Sequence, residues 1–202
     1  MTAKNTENKT SPPSTQIADP APLGLIGLAV AALVLASTDL GLVPSTAKSL
    51  MIPWVLFFGA TAQLIAGTVE FKRNNIFGAT VFSTYAMTMY AIALTLFITT
   101  FTDIDFNIAH YGFGLIAILI FSIIATVASL LTNKMLFIIL IFVDLAVIAL
   151  IPHYFNNYSA VPAGIFLLCV TITAFYTAFA ILINTMAGKT ILPLGNAIWK
   201  IN

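Results

Sequence analysis

Long apolar segments separated by short polar stretches make up most of the chain. Six of them can be delimited by their length and by the charged or helix-breaking residues between them: 24–43, 50–69, 78–102, 111–133, 135–152 and 161–188. A helix needs about 20 apolar residues to cross the hydrocarbon core of a bilayer, which is about 30 Å thick. The pattern therefore predicts an all-α integral membrane protein with six transmembrane helices.

The N-terminal end of the chain is polar. Residues 1–18 are rich in Thr, Asn, Ser, Pro and Lys, and they hold too few apolar side chains to pack, so we expect a disordered tail. No basic start runs directly into a short apolar segment, so no signal peptide is expected. The membrane domain would span 19–195, and a short tail, 196–202, would follow it.

Basic residues concentrate in alternate loops. With six spans, both termini and two loops share one side, and that side holds seven of the eight basic residues: Lys4, Lys9, Lys72, Arg73, Lys134, Lys189 and Lys200. The opposite side holds Lys48 alone. Because cytoplasmic loops carry the excess of Lys and Arg, this asymmetry predicts that both termini are cytoplasmic.

Composition excludes several classes of function. Hydrophobic residues are 60% of the chain and charged residues 7%, against about 25% charged in soluble domains. A net charge of +1 offers no basic surface for nucleic acid. The single cysteine, Cys169, has no partner for an internal disulfide, and no Cys/His cluster suggests a metal ion. With no Ser/His/Asp set and no phosphate loop, we expect neither an enzyme nor a cofactor.

Polar side chains inside the spans are the candidate functional groups. Gln63 lies four residues from both Gly59 and Gly67, so the three share one helix face. The amide either joins two closely packed helices or faces a polar pathway between them. Thr84 belongs to a hydroxyl stripe beside Tyr85; such hydroxyls either bond back to the carbonyl one turn earlier or face the same pathway.

Asp144 is the most unusual residue, because it lies about 13 Å from either end of its predicted span. A charged carboxylate at such a depth costs at least ~2.5 kcal/mol on insertion scales. We therefore expect it to be protonated or paired and to bond a hydroxyl or carbonyl on a neighbouring helix. A structural hydrogen bond and proton linkage both remain open for this residue.

Three blocks of sequence, in order, resemble the acetate uptake transporter family, which includes the bacterial succinate–acetate permeases. The first, Asp19-Pro-Ala-Pro-Leu-Gly-Leu25, is close to the family signature Asn-Pro-Ala-Pro-Leu-Gly-Leu. The second runs from Phe58-Gly-Ala-Thr-Ala-Gln63 to Phe77-Gly-Ala-Thr-Val-Phe-Ser-Thr-Tyr85, and the third is Lys189-Thr-Ile-Leu-Pro-Leu-Gly195. The likeness extends from about residue 18 to residue 195.

This resemblance implies a homohexamer in the cytoplasmic membrane of a prokaryote, with a pathway for acetate or related small carboxylates through each protomer. The narrow constriction of the family would be formed here by Leu28, Tyr85 and Val143. The resemblance also places Ala174 at the family's specificity position on the sixth helix, and Gln63 at a polar position near the pathway. Passage could be channel-like or proton-coupled.

One departure from the signature changes the expected electrostatics. Asp19 replaces Asn at the start of the first helix, and Asp19-Pro20 is a typical helix start. An ionised Asp19 would neutralise the positive end of the helix dipole and repel an anion there. The alternative to transport is a membrane scaffold protein whose polar stripes only hold helices together.

Overall fold

The computed structural model describes residues 17–105 and 107–200. The predicted tail at 1–18 therefore lies almost wholly outside the described residues. Six helices are long and apolar enough to cross a membrane: α1 (Ala21–Asp39), α2 (Thr46–Lys72), α3 (Ile76–Phe101), α4 (Ala109–Ser129), α5 (Lys134–Asn156) and α6 (Val161–Ala187). The described part of the chain contains no strand. The prediction of an all-α protein with six transmembrane helices is confirmed.

None of the six helices ends at the predicted residue; α1 ends at Asp39 and α4 at Ser129, each four residues before the predicted end of its span. Two further differences, in α2 and α5, have identifiable reasons. α2 opens with a 3-10 segment, Ser45–Leu50, and contains a π-helix at Val55–Ala62, so it is longer and more widely wound than the predicted span 50–69. α5 does not end at Pro152 but continues to Asn156, because the proline removes only one backbone donor. The helix ends where Asn157 adopts a left-handed conformation, with a φ of 54°.

The helices form a closed ring. α1 packs extensively against α2 and α6, α2 packs against α3, and α4 and α6 pack on either side of α5. The ring closes where α3 meets α4, and this is much the least extensive contact between neighbours in the ring. We call the α3–α4 contact the seam. A small cluster of buried side chains, Tyr85, Ala125 and Leu140, lies beside it.

Small residues let α1 lie very close to α2. A β-carbon added to Gly27 would collide with the carbonyl oxygen of Phe58 and lie 3.1 Å from the β-carbon of Ala62. One added to Gly59 would lie 2.8 Å from the β-carbon of Ala31. In lipid, helix association depends on such close packing, because apolar burial alone gains little.

The segment after α6 folds back onto the bundle. The side chain of Asn184 accepts hydrogen bonds from the backbone of Ile191 and Leu192 and donates one to Leu192. The backbone N–H of Trp199 donates to Leu130 at 2.9 Å, in the turn between α4 and α5. The proposed boundary at residue 195 thus falls inside a segment whose backbone contacts the bundle on both sides of it.

Gly27→Ala is expected to destabilise the bundle, since the added methyl group must push α1 away from the backbone of α2. Overpacking of this kind typically costs about 1–3 kcal/mol. Gly114→Ala on α4 is the matched control, because nothing lies within 4 Å of its added β-carbon. Thermal unfolding in detergent should show a lower midpoint for Gly27→Ala and an unchanged or slightly higher one for Gly114→Ala. Equal midpoints for the two variants would contradict this packing.

Candidate functional site

Two cavities lie inside the ring, one towards each end. The larger, about 160 Å³, reaches the ends of α1, α3 and α5 and includes His153; we call it the His153 cavity. The smaller, about 80 Å³, lies among the first turns of α1, α3 and α5 and includes Gln63; we call it the Gln63 cavity. Both exceed the ~30 Å³ that one water molecule occupies in the liquid.

Leu28 and Tyr85 line both cavities, so they form the boundary between them. Leu28 is 7% exposed and Tyr85 4% exposed. Val143 adds a third side chain from α5, on the His153 side of that boundary. The structure thus brings together the three residues that the family resemblance grouped as a constriction. Their side chains are apolar, apart from the Tyr85 hydroxyl.

The His153 cavity is lined mostly by apolar side chains and is polar at one end. There, Asp39, Lys48 and His153 line it together with Tyr111 and Tyr154. The two tyrosine rings lie against each other with centroids 4.6 Å apart. His153 Nδ1 is hydrogen-bonded to the carbonyl oxygen of Tyr158 at 2.7 Å, which fixes the orientation of the imidazole. A carboxylate arriving at this end meets two basic side chains and one acidic one.

The Gln63 cavity contains a polar atom without a partner. Gln63 is completely buried, and its Nε2 donates to the carbonyl oxygen of Gly59 at 2.6 Å. Its Oε1 is buried and accepts no hydrogen bond from any of the described residues. Leaving such an acceptor unpaired costs about 1–3 kcal/mol. A donor entering this cavity would recover that free energy.

Asp144 lies at the seam and lines neither cavity. The hydroxyl of Ser122 donates to its Oδ1, and that of Thr126 donates to its Oδ2 at 2.7 Å. Tyr85 Oη is in turn hydrogen-bonded to Ser122 Oγ at 2.7 Å. Asp144 therefore bonds hydroxyls of the neighbouring helix α4 and is connected to the constriction through one of them.

The remaining candidates lie away from both cavities. Ala174 is fully buried in the main core cluster, and the carbonyl of Thr84 accepts a hydrogen bond from Thr88 at 3.0 Å. Asp19 accepts from the backbone N–H of Ala21 at 3.0 Å. The N-cap of α1 is Pro20, so Asp19 lies one residue before the cap position at which the sequence placed it, and α1 has no side-chain cap. Asp19 also forms an ion pair with Arg73 at 2.8 Å. Arg73 also pairs with Glu70, so it offsets only part of the negative charge at this helix end. The repulsion of an anion by Asp19 stays a prediction.

Sequence reasoning missed two acidic residues that line the cavities. Asp39, the last residue of α1, lines the His153 cavity. Glu70, near the end of α2, is 1% exposed, lines the Gln63 cavity and accepts from Arg73 at 3.3 Å. Their depth was hidden because both lie near the polar ends of their spans.

Six membrane-crossing helices surround the two cavities that meet at Leu28 and Tyr85, and this arrangement defines a multi-pass membrane protein. A sequence profile of the GPR1/FUN34/yaaH family matches residues 2–194. The chain belongs to this family, and the family resemblance expected from its sequence is confirmed.

Named relatives and a solved structure agree with this assignment. The chain is 29% identical over 195 residues to the succinate-acetate/proton symporter SatP of Escherichia coli K12, covering 91% of this chain and 98% of the relative. It is 28% identical over 208 residues to acetate permease A of Emericella nidulans, covering 92% of this chain and 68% of the relative. A solved structure described as the bacterial acetate channel SatP superposes with a TM-score of 0.82 at 24% identity. That superposition covers 89% of this chain and all of the solved one, and it shows the shared fold.

Proposed function

We propose that the protein carries acetate and related small carboxylates across the cell membrane through the interior of each protomer. The observation that supports this most directly is the arrangement of two cavities at opposite ends of the ring, in contact only through Leu28 and Tyr85. A scaffold protein needs no such cavities. The relatives named as a succinate-acetate/proton symporter and an acetate permease give the substrate class.

The chemistry of the two cavities suits a carboxylic acid that changes its hydration along the way. Lys48 attracts the anion at the polar end of the His153 cavity. The constriction offers no basic partner, so an ionised carboxylate must lose much of its hydration there, which is costly. Beyond it, the unpaired Oε1 of Gln63 accepts a hydrogen bond from a protonated acid or from water. Small carboxylates with little apolar bulk are therefore favoured.

The orientation and the assembly belong to the same proposal. The seven-to-one distribution of basic residues supports cytoplasmic termini, which would make the His153 cavity face outward. The family resemblance supports a homohexamer. Large apolar side chains on the outer surface, such as Trp54, Phe57 and Ile65, would then contact lipid or a neighbouring protomer.

Proton linkage, if passage is coupled, is proposed to involve Asp144. Both ion pairs among the described residues are made by Arg73, so Asp144 has no basic partner there. Helix α4 presents only the hydroxyls of Ser122 and Thr126 to it, and Tyr85 of α3 is the titratable group that reaches it through Ser122. Asp144 is therefore connected to the constriction by the hydrogen bonds that join it to Ser122 and Ser122 to Tyr85.

Uptake of labelled acetate into vesicles containing the purified protein tests the transport proposal. Flux above that of protein-free vesicles is expected, with passive permeation of undissociated acetic acid subtracted. Vesicles that gain no flux would support a scaffold instead.

Asp144→Asn, which keeps the shape of the side chain and removes its titratable group, should still pass acetate down its gradient. If Asp144 couples protons, the variant should lose uptake driven by an imposed pH gradient; undiminished pH-driven uptake would leave it a structural role.

Tyr85→Ala is expected to relax size selection, because removing the ring widens the boundary between the cavities. The acetate-to-succinate flux ratio should fall several-fold relative to the unsubstituted protein. Tyr90→Ala is the matched control: it removes a ring from the same helix, hydrogen-bonded to Thr61 at 3.1 Å, that lines neither cavity. An unchanged ratio in a folded Tyr85→Ala variant would mean that Tyr85 only packs.

A further inference from the structure

The seam between α3 and α4 is the place where the ring is held together by few contacts. Two helices that share few packing contacts can still be held together by hydrogen bonds between their side chains. In the hydrocarbon region of a membrane, water does not compete for such bonds. Here the Tyr85 hydroxyl of α3 reaches Ser122 of α4, and the Tyr85 ring lies edge-on to Phe121 with centroids 5.6 Å apart. The side chain that closes the constriction is thus attached to the helix across the seam.

Ser122 is held in turn by a helix on its far side. Its hydroxyl donates to Oδ1 of Asp144 on α5, so its own oxygen is left to accept from Tyr85. Ser122 is completely buried and Asp144 is 8% exposed, so neither can exchange these partners for solvent without moving. Three helices therefore contribute to one series of hydrogen bonds, from Asp144 through Ser122 to Tyr85.

We propose that Asp144 and Ser122 are positioning residues that hold the Tyr85 ring in the constriction and so set which carboxylates pass. The inference rests on the proposed transport function and adds residues that touch neither cavity. Without the acceptor at Asp144, the Ser122 hydroxyl is free to turn toward a backbone carbonyl. The Tyr85 hydroxyl then loses its fixed partner, and the ring can swing away from Leu28.

Thr126 provides an internal comparison. It donates to the other oxygen of Asp144 at 2.7 Å, one helical turn after Ser122, yet it makes no hydrogen bond to Tyr85. It too is buried, with 6% exposure, and lines neither cavity. Thr126→Val and Ser122→Ala each remove one hydroxyl that donates a hydrogen bond to Asp144. Only Ser122→Ala also breaks the connection to the constriction.

The test measures the flux ratio of acetate to succinate in vesicles for a set of variants. Ser122→Ala, Asp144→Ala and Tyr85→Phe are each expected to lower the ratio about fivefold, roughly the factor that one ordinary hydrogen bond is worth. Pairs of these substitutions should give no further loss, since all three break the same chain. Asp144→Asn should retain the ratio, because its amide oxygen still accepts from Ser122. Thr126→Val should retain it as well.

Two results would overturn the proposal. A Ser122→Ala protein with an unchanged ratio would show that Tyr85 needs no partner across the seam. An equal loss in Thr126→Val would show that any weakening of the seam relaxes selection, without a specific connection. Because Asp144→Asn is expected to keep size selection whether or not it loses pH-driven uptake, positioning is distinguished from proton linkage.

A second readout requires no transport and separates this inference from the proposed function. Val81 lines the Gln63 cavity one turn before Tyr85. With Cys169→Ala as background, a Val81→Cys thiol should react slowly with a thiol reagent applied from the His153 side. Ser122→Ala should speed the reaction about fivefold, and Thr126→Val should leave its rate unchanged. Equal rates in all three proteins would reject the positioning role even if acetate flux is normal. A wild-type protein that passes no carboxylate but shows the expected rates would reject only the transport proposal.

Discussion

The close approach of α1 to α2 and α6 sets the geometry of the whole bundle. Glycine and alanine on α1 and α2 allow contacts so tight that a methyl group at Gly27 would strike the backbone of α2. Most of the buried residues of α1 are glycine or alanine, and Leu28 is one of the few larger ones. Its side chain lies between the two cavities. A wider spacing of α1 would move Leu28 away from Tyr85 and join the cavities.

The opposite side of the ring follows a different principle. At the seam, α3 and α4 share few contacts, and polar side chains supply the connection that close packing supplies elsewhere. Tyr85, Ser122 and Asp144 are all buried, so each depends on the others for hydrogen bonding. The constriction thus combines a rigid side, set by α1, with a hydrogen-bonded side that a single substitution can release. Under the proposal, Asp144 would act on passage through this hydrogen-bonded side, although it lines neither cavity.

Much of the fold could be predicted from sequence because lipid leaves few alternatives. A run of about 20 apolar residues must be helical to satisfy its backbone, so the number of helices follows from length alone. Helix ends were less predictable: the π-helix in α2 and the continuation of α5 past Pro152 depend on hydrogen bonds that no apolar pattern records.

The candidate site was predictable only where a motif carried it. The family resemblance identified Leu28 and Tyr85 as constriction residues. The cavities on either side of them could not be deduced from those two residues. The unusual depth of Asp144 indicated that it needed a partner. Ser122 and Thr126 lie four residues apart and so share one face of α4. This pair of hydroxyls was a signal that could have identified the partners of Asp144. Asp39 and Glu70 were missed because a residue near the end of a span is usually solvated, and only tertiary packing buries it.

The central claim is that the Leu28–Tyr85 boundary separates two cavities open to opposite sides of the membrane. Thr88 lines the His153 cavity and Val81 the Gln63 cavity, one turn to either side of Tyr85 on α3. Single cysteines at these two positions, with Cys169→Ala, can be treated with a membrane-impermeant thiol reagent from each side in turn. Thr88→Cys is expected to react much faster from outside and Val81→Cys much faster from the cytoplasm; a reversal would change the orientation alone. Reaction of both from the same side at equal rates would contradict the separation of the cavities.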